Sequence, residues 1–66
     1  MSLYEQVVTR MVECGVLIDH YAKKGADTLL LRKQNELSTL VRDWGVQPLR
    51  EAVERYKAGA KIQTPE

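Results

Sequence analysis

LYEQVVTRMVECGVLIDHYAKK, running from Leu3 to Lys24, decides how this chain folds. Its apolar residues recur every three or four positions, the period of one face of an α-helix. At helical steps, Tyr4, Val7, Val8, Met11, Cys14, Gly15, Ile18, Tyr21 and Ala22 share one broad arc. Glu5, Gln6, Thr9, Arg10, Glu13, His20, Lys23 and Lys24 fall largely on the other side. Ser2 and Glu5 have the S-x-x-E spacing of a capping box, in which the serine oxygen satisfies a free amide at the helix start. Gly25 suits the far end, because glycine accepts a left-handed backbone and Lys23 and Lys24 complement the negative helix terminus.

Working outward, Asp27 is placed to cap a second helix, about Thr28 to Trp44. Its apolar arc is Leu29, Leu30, Leu37, Leu40, Val41 and Trp44. Gly45 ends it, and Pro48 opens a third helix over 48–58, since the first helical position needs no N–H. That helix carries a narrow stripe of Leu49, Ala52, Val53 and Tyr56, with Glu51 and Arg55 spaced to pair across one turn. Residues 59–66 lack periodicity and are expected to form a flexible tail.

The short link through Gly25 and Ala26 predicts an antiparallel hairpin of the first two helices. Residues at equal height then have numbers summing to about 52, as two helices joined by so short a loop require. Leu37 falls against Gly15, Leu30 against Ala22, Trp44 near Val8, and Leu40 and Val41 beside Met11 and Val12. The third helix is expected over the flank near Val8 and Met11, through Leu49, Val53 and Tyr56. The fold class is therefore all-α: one helical domain over residues 1–58, a helical hairpin plus a short third helix.

A domain of this size buries only roughly 60% of the surface its unfolded chain exposes. Among 66 residues there is no phenylalanine, so aliphatic side chains must supply most of the core. Small scaffolds add a disulfide, a metal or a second chain. Cys14 is the only cysteine, which rules out an intrachain disulfide, and no His/Cys cluster has the spacing of a zinc site. Association is what remains, and a homodimeric helical bundle is the expectation. Val12, Val16 and Leu17, with Leu31 on the second helix, lack an obvious neighbour within the chain and are the candidate self-association or partner surface.

A net charge of +1 argues against a dedicated polyanion binder, which gathers basic excess on one face. The start MSLYEQ lacks the basic and apolar regions of a secretory signal. No apolar run approaches the roughly 20 residues that span a bilayer. A lone thiol fits a reducing compartment, so a cytoplasmic location without membrane attachment is expected.

Individual residues point to packing more than to chemistry. Lys33 interrupts the second helix's apolar arc and is expected to pair with Asp19. His20 falls on the polar arc and reads as a solvated surface histidine. Cys14 reads as a buried structural thiol, because a reactive one needs exposure and a nearby positive group. Gly15, costly inside a helix, is expected either to accept Leu37 or to let two copies of the first helix cross closely. Nothing has the arrangement of a catalytic dyad, triad or phosphate loop, so no enzyme activity, cofactor or metal is expected.

The function expected is that of a small non-enzymatic regulator, adaptor or inhibitor that binds another protein as a homo-oligomer. Its size and lack of chemistry are also those of a phage or mobile-element inhibitor. The alternative is a DNA-binding regulator, because residues 40–56 have the helix–Gly turn–helix form of a helix-turn-helix segment. Arg50, Arg55, Lys57 and Lys61 would supply its nucleic-acid contacts. Pro48 inside the first turn of the would-be recognition helix, and Glu51 and Glu54 on its would-be phosphate face, depart from that pattern.

Overall fold

Ser2 begins the first helix as its spacing predicts: its side-chain oxygen accepts the Glu5 N–H at 3.1 Å. The computed structural model describes residues 2–59, and these fold into three α-helices with no strand among them. They are α1 (Leu3–Lys24), α2 (Asp27–Trp44) and α3 (Val46–Lys57). Most of the tail expected over 59–66, including Lys61, lies outside the described residues. No described helix is long and apolar enough to cross a membrane.

Gly25 stops α1 in the left-handed region at φ 72°. Its N–H donates to the Ala22 carbonyl and the Ala26 N–H to that of Tyr21, the paired bonds of a Schellman motif. Asp27 is then already helical, and the cap position falls to Ala26, which contributes no side-chain bond. The expected Asp27 cap is thus corrected: the tight Schellman turn leaves no residue between it and the new helix for a capping side chain. The Asp27 carboxylate instead sits in the first turn of α2, where it complements the positive helix end.

The turn from α2 to α3 is a single residue, Gly45, at φ 83° and ψ −174°. Only glycine visits that region without strain. Its N–H returns to the Val41 carbonyl at 2.7 Å, closing α2. The third helix therefore starts at Val46, two residues before the expected Pro48. Pro48 is still tolerated, because the first four amides of a helix have no intrahelical partner to lose.

The first helix is central. It packs against both α2 and α3, which touch each other far less. The core gathers Val7, Val8, Met11 and Val12 of α1 with Ala52 of α3, and Val16, Leu37, Leu40, Val41 and Leu49 pack around it. Cys14 and Pro48 are also fully buried. In contrast, α2 has no buried residue at all.

Part of the expected meeting of α1 and α2 is present: Leu37, Leu40 and Val41 pack against the core that holds Met11 and Val12, and Leu37 lines one groove with Gly15. Arg10 meets Glu36, and Leu3 and Val7 share a surface depression with Leu40 and Trp44. Trp44 lines that depression and keeps 42% of its surface exposed. Ala22 is exposed, so it does not receive Leu30 as a buried contact.

Lys33 finds its partner on its own helix: its Nζ donates to Glu36 Oε2 at 2.9 Å, and Arg10 Nε forms an ion pair with Glu36 Oε1 at 3.0 Å. Asp19, the partner expected from the sequence, is held by Lys23 on its own helix at 3.1 Å. Glu36 thus ties α1 to α2 while screening Lys33 at the edge of the apolar seam.

Candidate interaction surface

The third helix is rotated from the packing its composition predicts: Leu49 and Ala52 of the expected stripe turn inward, but so does Pro48, and Val53 does not. Pro48 and Ala52 are buried against α1, and Leu49 is half-buried. Val53 and Tyr56, expected in the seam, are 42% and 43% exposed, and Val46 is 56% exposed. Two local causes set this rotation. The small Ala52 side chain, 4% exposed, lets the α3 backbone approach Val8 and Val12 closely. Arg55, on the same side, donates through Nη2 to Glu5 Oε2 at 2.8 Å and to Glu51 Oε1 at 3.2 Å. The predicted Glu51–Arg55 pair therefore forms, and Glu5 extends it across to α1.

The result is an outward apolar stripe, Val46–Leu49–Val53–Tyr56, running the length of α3. On one side it borders a depression of about 680 Å³ rimmed by Gln47, Arg50 and Glu54. On the other it borders a groove of about 370 Å³ between α2 and α3, floored by Met11, Val12 and Gly15 and walled by Leu37, Ala52 and Tyr56. Gly15 faces Tyr56, not Leu37 alone: a Cβ built there would stand 3.8 Å from Tyr56 Cδ2.

The expected self-association residues do not form one patch. Val12 is buried in the core because α3 covers it through Ala52. Val16 packs half-buried against that core, and Leu17 is half-buried. Leu31 is 58% exposed on α2. The α3 stripe was missed because helical periodicity assigns an apolar face to the interior by default. Its signal was available in the size contrast between Ala52 and its larger neighbours Val53 and Tyr56.

The expected nucleic-acid residues are equally dispersed in role. Arg55 is neutralised by Glu5 and Glu51. Arg50 sits on the rim shared with Glu51 and Glu54, and Lys57 lines the groove.

Elsewhere, Cys14 is buried beneath Glu36, and burial first, then that carboxylate, push its thiol above the ordinary value of 9.0. His20 is not the solvated histidine expected. Its ring centroid lies 5.6 Å from that of Tyr21, and its Nε2 is buried without a hydrogen-bond partner among the described residues. The ring folds back along α1 beside Tyr21, which is itself buried, instead of extending into solvent.

Comparison with family models, with curated proteins and with solved structures finds no match to this chain.

Proposed function

We propose that this chain is a non-enzymatic binding protein: a small cytoplasmic regulator or adaptor that acts by docking on another protein. In this reading α1 and α2 form an antiparallel hairpin, α3 is the docking element, and the chain works as a homodimer. One observation carries it. On α3 the apolar side chains Val46 and Val53 face outward, and Tyr56, beside Gly15 at one ring edge, keeps 43% of its surface exposed, while Pro48 and Ala52 face inward. Scattered exposed apolar residues are ordinary, but an aligned stripe flanked by depressions is what a partner's side chains can enter. Arg55, engaged with Glu5 and Glu51, counts against the nucleic-acid alternative, because a phosphate contact would have to displace two carboxylates.

The test is retention from host lysate on immobilised wild-type chain and on Val53→Glu, with helicity of both checked by circular dichroism. The reading expects a defined protein on the wild-type chain that Val53→Glu fails to hold. Equal retention by both chains, or retention of nucleic acid alone, would overturn it.

A further inference from the structure

The α3 stripe has charged edges, and their order specifies an occupant. Arg50 and Glu54 lie one turn apart, on the same edge of the stripe, both bordering the depression beside Val53. Neither has an ion pair within the described residues, whereas Arg55 on the inward side has two. When two identical helices pack antiparallel about a twofold axis, each edge meets its own counterpart running the opposite way. Residue i then contacts residue j of the other copy, and j contacts i. With the axis passing near Ala52 and Val53, Arg50 falls opposite Glu54 of the partner subunit, and Glu54 opposite the partner's Arg50. The same alignment sets Leu49 against the partner's Tyr56 and brings the two Val53 side chains together at the axis. A parallel pairing would offer neither reciprocal ion pair.

We infer that a second copy of this chain occupies the α3 stripe, in an antiparallel α3–α3 dimer held by Val53 and Tyr56 and oriented by two reciprocal Arg50–Glu54 pairs. This rests on the reading of α3 as a docking surface, and because one stripe takes one occupant at a time, a different protein would have to displace the second copy from it. The pairs act chiefly on orientation, because exposed ion pairs add little affinity while like charges brought together oppose it. The apolar stripe supplies the attraction.

Charge reversal tests the geometry in sedimentation equilibrium across a concentration series. Arg50→Glu alone places two carboxylates opposite each other twice per dimer, and Glu54→Arg alone does the same with two cations. Each single variant is expected to dimerise roughly tenfold or more weakly than wild type. An equimolar mixture of the two variants restores both pairs in the heterodimer and is expected to return to within about threefold of wild type. Both positions are exposed or at the rim, and unchanged circular dichroism in the variants checks that folding is not the cause. Wild-type chains that stay monomeric would overturn the inference and leave the stripe to a different protein. So would single variants that dimerise like wild type, or a mixture that fails to recover. The lysate experiment reads the other question. A monomer that still captures a partner through Val53 loses only the dimer, and a dimer that captures nothing loses only the adaptor.

Discussion

Replacing glycine by alanine should change stability in opposite directions at Gly15 and Gly45, and the contrast isolates the backbone. Gly15 lies in the interior of α1, where alanine is favoured by up to about 1 kcal/mol. An added Cβ meets Tyr56 Cδ2 at 3.8 Å, ordinary van der Waals contact, so nothing offsets the gain. Gly45 holds φ 83° and ψ −174°, where a side chain costs about 1–3 kcal/mol. Its Cβ would meet nothing within 4 Å, so the cost is conformational alone. Alanine at a positive φ costs more than the about 0.4–1 kcal/mol that restricting the unfolded chain returns, which leaves Gly45→Ala a net loss of up to about 2.5 kcal/mol. For a domain of about this size each kcal/mol moves Tm by roughly 4–8 °C. Gly15→Ala should therefore melt a few degrees above wild type and Gly45→Ala well below it. The assay is far-UV circular dichroism on heating, with all chains at one concentration because self-association raises Tm by mass action. A Gly15→Ala chain less stable than wild type would refute the packing described at Tyr56. A Gly45→Ala chain as stable as wild type would refute the one-residue turn.

Two further outcomes follow from the Glu36 cluster. The Lys33 hydrogen bond, assisted by the charges of Lys33 and Arg10, holds the Glu36 carboxyl below its ordinary value of 4.5. A depressed folded-state pKa contributes stability above the unfolded value and loses it as pH falls through the folded one. Glu36→Gln should accordingly be less stable than wild type at neutral pH, by about 0–1 kcal/mol for so accessible a cluster, and the difference should close in acid denaturant titrations. A gap that widens on acidification would contradict the pairing. The buried Cys14 thiol, pushed up by burial, should resist alkylation at neutral pH and react at the rate of an ordinary cysteine once denaturant unfolds the chain. Rapid labelling of the native protein would contradict its place beneath Glu36.

What the sequence made legible was local. The bounds of α1, its Ser2 cap, its Gly25 stop and the Glu51–Arg55 pair each depend on residues within a turn of one another. The glycine breaks at Gly25 and Gly45 divide the chain correctly for the same reason. Several of the misplaced readings depend on partners distant along the chain. Glu5 and Arg55 are fifty residues apart, and no spacing rule links them. Val12 looked unpartnered because α3 was expected over Val8 and Met11 only, whereas Ala52 lets it settle across Val12 as well. Lys33 had two acidic candidates in reach, Asp19 across the seam and Glu36 on its own helix. Glu36, one turn away, holds it, while Lys23 holds Asp19. The outward stripe on α3 was illegible because an apolar period says which residues share a face, not which way that face points.

Because α2 has no enclosed side chain, it is laminated to its neighbour along one side only. Its release would uncover Met11, Cys14 and Leu37 while α1 and α3 stayed joined through Ala52 and the Glu5–Arg55 clasp. Amide exchange in such a molecule should proceed by peeling of this middle segment as a unit, at lower free energy than global melting. The central helix therefore keeps a second apolar flank in reserve, sealed by a helix that itself encloses no side chain.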